Sequence, residues 1–74
     1  MKSQLKRLAV CYNLSKRELE VALTKLNYKL FHSPSEAGEL ALDITVDENG
    51  ERTVYLQIVN EQNKCLWKVL VSDE

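Results

Sequence analysis

His32 is the single imidazole of a 74-residue chain, so it is the first side chain to test for acid–base or metal chemistry. Either role needs company, because a metal takes several Cys, His or carboxylate ligands and a general base needs a group to act on or to orient it. No local Cys, Asp or Glu spacing gives His32 that company, and it is expected as an ordinary surface or helix-end residue. Cys11 and Cys65 are too few for a disulfide scaffold and sit at apolar positions, which predicts two reduced, buried thiols in an intracellular protein. Ser15 is explained by helix capping. Asp47 and Glu48 are explained by a solvated turn, and Asp43 is a lone carboxylate on a strand, not half of an acid–base pair. Neither a phosphate-binding glycine loop nor a calcium loop is present. The expected catalytic set, metal set and cofactor set are therefore empty, and the chain is read as non-enzymatic.

The remaining chemistry is charge. Residues 1–32 carry seven basic side chains (Lys2, Lys6, Arg7, Lys16, Arg17, Lys25 and Lys29) against Glu18 and Glu20, a net of +5. Residues 33–74 carry three basic and nine acidic ones, a net of −6, so the overall −1 conceals a division. Such polarity either favours an anionic partner or draws the two parts together. Lys2, Lys6 and Arg7 resemble the head of a signal peptide, but Leu8 to Tyr12 is too short an apolar run and ends at Asn13. No apolar run approaches the ~18 residues of a membrane span, and a cytoplasmic protein is expected.

What positions these residues is one compact domain, since 45% apolar and 28% charged content in so short a chain supports a single core. Leu40, Leu42, Ile44 and Val46 alternate with Ala41, Asp43 and Thr45; Val54, Leu56 and Ile58 alternate with Thr53, Tyr55 and Gln57. That is the period of strands with one covered face. Between them, a two-residue Asn49-Gly50 loop would set the two apolar rows on opposite faces. A three-residue loop, Glu48-Asn49-Gly50, pairs Asp47 with Glu51, Ile44 with Val54, Leu42 with Leu56 and Leu40 with Ile58, so the hydrophobic pattern selects it, with Gly50 left-handed. A four-residue loop from Asn60 to Asn63 closes a second hairpin, pairing Ile58 with Cys65, Leu56 with Trp67 and Val54 with Val69. Strands are expected over about 39–47, 51–59 and 64–71.

Upstream, Leu5, Leu8, Ala9 and Tyr12 space one face of a helix over about 3–12, with Ser3 as its cap and Asn13 as a left-handed terminator. Ser15-Lys16-Arg17-Glu18 matches a capping box, flanked by Leu14 and Leu19 as a hydrophobic staple. The helix it opens runs over about 16–31, with Leu19, Ala22, Leu23, Leu26 and Leu30 as its stripe and Val21 and Tyr28 on the flanks. Pro34 ends it, and residues 35–38 suggest at most one helical turn. The fold class is α+β, two N-terminal helices packed on one face of a three-stranded antiparallel meander.

Residues 5–26 resemble a helix-turn-helix segment: Leu5, Leu8, Ala9 and Tyr12 face inward, Asn13-Leu14 makes the bend, and Leu19, Ala22 and Leu23 anchor the second helix. Asn13 stands where glycine is usual, and no additional helix completes the usual three-helix support. The resemblance implies that the second helix enters the major groove with Lys16, Arg17, Glu20 and Thr24 leading. Lys25 and Lys29 would neutralise phosphates and Lys6 and Arg7 would position the backbone.

The alternation also leaves a mixed face, with Tyr55 expected opposite Lys68, Thr53 opposite Leu70 and Gln57 opposite Leu66. Tyr55, Val59, Leu66, Lys68 and Leu70 form a docking patch there. RNA stacking on Tyr55 beside Lys68 is opposed by Asp43 and the acidic turn. The function expected is a small regulatory or protein-interaction module, self-associating through the exposed sheet face as a homodimer or binding another protein. DNA binding through the basic helices is the alternative, and no membrane partner is expected.

Overall fold

A computed structural model describes residues 2–32 and 38–72. The order is α1 (Lys2–Cys11), α2 (Lys16–His32), β1 (Glu39–Val46), β2 (Arg52–Val59) and β3 (Cys65–Leu70), with the strands in one antiparallel sheet ordered β1-β2-β3. The architecture is the expected ααβββ. The connector residues 33–37, including the suggested helical turn, lie outside the described residues.

The helix ends follow the local sequence. Asn13 is left-handed at φ 57°, and the Leu14 N–H donates to the Ala9 carbonyl at 2.9 Å while the Asn13 N–H donates to that of Val10 at 3.3 Å. These paired bonds close α1 as a Schellman cap. Reciprocal bonds then open α2: the Glu18 N–H donates to Ser15 Oγ at 3.0 Å and the Ser15 N–H to Glu18 Oε1 at 2.9 Å. Glu18 Oε1 also takes Arg52 Nη2 at 3.3 Å, tying the start of α2 to β2. Two expectations for α1 are corrected. Ser3 lies inside the helix instead of capping it. Tyr12 falls beyond the last helical residue and is 51% exposed, leaving Leu5, Leu8 and Ala9 as the inward face.

The first hairpin has the register that the hydrophobic pattern selects, Leu40 with Ile58, Leu42 with Leu56 and Ile44 with Val54. Gly50 adopts φ 80°, and Asp47 Oδ1 accepts the N–H groups of Asn49 and Glu51 at 2.9 and 2.8 Å. The second hairpin repeats this turn. Asn60 Oδ1 accepts from Gln62 and Lys64 at 3.0 and 2.9 Å, and Asn63, at φ 64°, takes the place of Gly50.

That equivalence overturns the expected second register. A three-residue loop sets Val59 opposite Cys65; continued without interruption, it would turn Lys68 inward and Trp67, Val69 and Val71 outward. A β-bulge corrects the parity. Between the pairs Val59–Cys65 and Ile58–Trp67, β3 has one extra residue, Leu66, after which Gln57 opposes Lys68, Leu56 opposes Val69 and Tyr55 opposes Leu70. Cys65 is consequently exposed and Leu66 packs, half-buried, against the core, the reverse of both expectations. Cys11 is exposed as well, since it lies two positions past Ala9 on the far side of α1.

The dry centre is Leu5, Ala22, Leu26, Leu40, Val54, Leu56, Ile58 and Val71. Gly38 precedes β1 where a Cβ would lie 2.6 Å from Ile58 Cγ2 and 2.7 Å from the Val59 carbonyl oxygen, so glycine is required for the chain to reach the sheet. Val46, expected on the covered face, is 63% exposed.

Leu66→Asp is expected to destabilise the fold by about 2 kcal/mol or more, since it puts a carboxylate against the core. Leu70→Asp is expected to change stability by about 0.5 kcal/mol or less. Urea unfolding of both variants checks the bulge, and equal costs would refute it.

Candidate functional site

The face of the sheet turned away from the helices carries Tyr55, Val59, Lys68 and Leu70 from the expected patch; Leu66 has moved to the other side. Lys68 Nζ donates to Asp43 Oδ2 at 2.8 Å, a bond that crosses from β3 over β2 to β1. The same ammonium lies 4.7 Å from the centroid of the Tyr55 ring. The hydrogen bond that Lys68 donates to Asp43 is the main reason that the Lys68 pKa is raised above its ordinary value of 10.5. The face is therefore locally neutral, with a tyrosine under an ion pair, Leu70 directly opposite that tyrosine, and Val59 farther along the same face. The one cation of the expected RNA platform already has its anion.

The basic residues of α2 divide by helical phase. Lys16, Arg17, Glu20 and Thr24 are exposed, and Thr24 Oγ1 donates to the Glu20 carbonyl at 3.0 Å. Lys25 and Lys29 lie on the side that passes β3. Lys25 Nζ donates to the Leu70 carbonyl at 2.6 Å, and Lys29 Nζ stands 5.9 Å from the centroid of Trp67. On α1, Lys6 is exposed, and Arg7 borders a shallow depression with Glu39 and Leu40 at the start of β1. The eight residues expected to meet DNA thus do not form one surface with the same freedom.

Between α2 and β3 runs a groove of about 460 Å³ lined by Lys25, Tyr28, Lys29, His32, Trp67 and Val69. His32 is the last residue of α2, and its ring lies 4.1 Å from that of Tyr28 and 5.1 Å, edge-on, from that of Phe31. Tyr28 and Phe31 are 67% and 82% exposed. Sequence reasoning missed this cluster. Its signal was the spacing of Tyr28 and His32 off the apolar stripe, but their nearness to Trp67 depends on where α2 crosses the sheet. Among the described residues, no group of three His, Cys, Asp or Glu side chains could hold a metal ion, and no helix is long and apolar enough to cross a membrane.

Asp43→Asn is expected to lower the titration midpoint of Lys68 Nζ while leaving the fold intact, because it removes the charged acceptor that favours the ammonium. Lysine side-chain NMR of the two proteins measures it, and an unchanged midpoint would show that the bond is not maintained in solution. Comparison with protein-family models, with curated proteins and with solved structures finds no match for this chain.

Proposed function

We propose that the protein is a small non-enzymatic regulatory or interaction module that associates with protein, a second copy of itself included, through surfaces that its sheet leaves open. The observation that supports this is the one-sidedness of the fold. Both helices lie over the face containing Val54, Leu56 and Ile58, while Tyr55, Val59, Lys68 and Leu70 face away from them. Between its acidic ends at Glu39 and the turn at residues 47–51, this face is neutral and partly apolar and presents tyrosine and aliphatic surface, the composition that protein interfaces favour.

A second reading, binding of duplex DNA, draws on the exposed row of Lys16, Arg17, Glu20 and Thr24 on one side of α2. It loses support from Lys25 and Lys29, which face β3.

Light scattering across a wide concentration range is expected to show the mass rising to twice that of the chain. Amide chemical shifts are expected to change with dilution at sheet residues and not along the outer side of α2. A single chain mass at every concentration would sink self-association. For the second reading, duplex binding that falls steeply with salt and disappears in the K16A/R17A variant is the supporting result; no binding at low salt removes it.

A further inference from the structure

The two edges of the sheet are finished differently. At β3 the bulge at Leu66 interrupts the ladder, Lys68 stands on the strand, and Lys25 Nζ occupies the Leu70 carbonyl at 2.6 Å. Bulges, edge lysines and covered carbonyls all blunt strand-to-strand association. Among the described residues, β1 has none of these devices. Its eight residues pair with β2 without a bulge, and its sequence, Glu39 to Val46, contains neither proline nor lysine.

The bond from the Asp47 N–H to the Glu51 carbonyl at 3.0 Å fixes which groups of β1 point outward. In an antiparallel ladder, alternate residues engage the neighbour, so Thr45, Asp43 and Ala41 bond to β2, and Leu40, Leu42, Ile44 and Val46 turn their N–H and C=O groups away from it. Cover thins along the same stretch. Leu40 is buried, Leu42 and Ile44 are half-buried, and Val46 is 63% exposed.

We infer that the β1 edge pairs antiparallel with β1 of a second copy of this chain, about a two-fold axis at Ile44, so that two three-stranded sheets become one of six strands. The inference rests on the self-association reading and locates its joint. The occupant follows from self-complementarity. With the axis at Ile44, Leu42 opposes Val46 of the second copy and Ile44 opposes its own copy, so the three less covered of the four outward-pointing residues are used and buried Leu40 is left out. Asp43 then faces Thr45 of the second copy, a carboxylate opposite a hydroxyl donor. Moving the axis by one residue sets Asp43 against Asp43, and like charges directly opposite destabilise a strand pair. Because the axis is perpendicular to the sheet, the helices of both copies lie on one side and the two open faces lie together on the other.

The test uses the full chain in sedimentation equilibrium, beside Val46→Lys, Leu70→Asp, and Ile44→Cys or Asp43→Cys in a Cys11→Ser/Cys65→Ser background. Val46 is exposed, so the lysine is expected to leave the melting curve of the monomer, taken at concentrations well below the dimer dissociation constant, unchanged while raising that constant about tenfold or more. Leu70→Asp is expected to remain dimeric. Ile44→Cys is expected to oxidise to a linked dimer and Asp43→Cys is not, since directly opposed residues in a hydrogen-bonded pair fall within disulfide reach. A dimer that survives Val46→Lys, or links through Asp43→Cys instead of Ile44→Cys, overturns the inference. If Leu70→Asp dissolves the dimer and Val46→Lys does not, the edge is wrong and self-association stands; a wild-type chain that is monomeric throughout ends both.

Discussion

The inward row of the central strand is the constraint on which the remaining structure depends. Val54, Leu56 and Ile58 are 0%, 0% and 1% exposed, and the strand's period of two fixes the side to which they point. Each neighbour must present its apolar residues with the same parity. β1 does so directly, because the Glu48-Asn49-Gly50 loop brings Ile44, Leu42 and Leu40 to that side. β3 arrives one residue out of phase, since the turn set by Asn60 and Asn63 puts Cys65 on the outer face. Left uncorrected, that phase would face Lys68 toward the core and Trp67 toward water. Burying an ammonium without a partner costs far more than unpairing one ladder position, so the strand bulges at Leu66.

The correction has consequences beyond β3. It places Lys68 on the open face, where it reaches Asp43 two strands away, and it brings Trp67 and Val69 beneath α2. The helix then runs along the β3 edge, where Lys25 meets the Leu70 carbonyl. Of the two ion pairs among the described residues, one lies within the sheet and the other joins a helix acid, Glu18, to a strand base, Arg52. Neither joins a basic helix residue to an acidic strand residue.

The first hairpin was legible in the sequence because glycine marks a left-handed position and the two apolar rows admit a single loop length. Asn63 does the same work as Gly50, but asparagine is compatible with many conformations, so the turn was read as one residue longer. Both routes put Trp67 and Val69 inward, which is why the covered face was nearly right while the pairs, and the places of Cys65 and Leu66, were not. The capping box and the Asn13 terminator were legible because their hydrogen bonds are local. The candidate site was less so. Helical spacing told which residues of α2 face away from the stripe, but only the path of the helix across the sheet decides that Lys25 and Lys29 border β3 while Lys16 and Arg17 stay free.

The distribution of aromatic rings supports reading the protein by its surfaces. The chain has three tyrosines, one phenylalanine and one tryptophan, and its fully buried large side chains are all leucine, isoleucine or valine. Tyr12, Tyr28 and Phe31 are mainly exposed; Tyr55 and Trp67 are half-buried. Each ring offers about 150–250 Å² of largely apolar area, and a domain this small has little such area to leave in water without consequence for its stability. Tyr28 and Trp67 line the groove beside β3, the edge that the bulge and Lys25 close to strand pairing. In a pair of copies joined along β1, these rings lie at the two far ends of the common sheet, clear of the joint. The arrangement separates the edge that extends the sheet from the surfaces that keep their aromatic residues in contact with solvent.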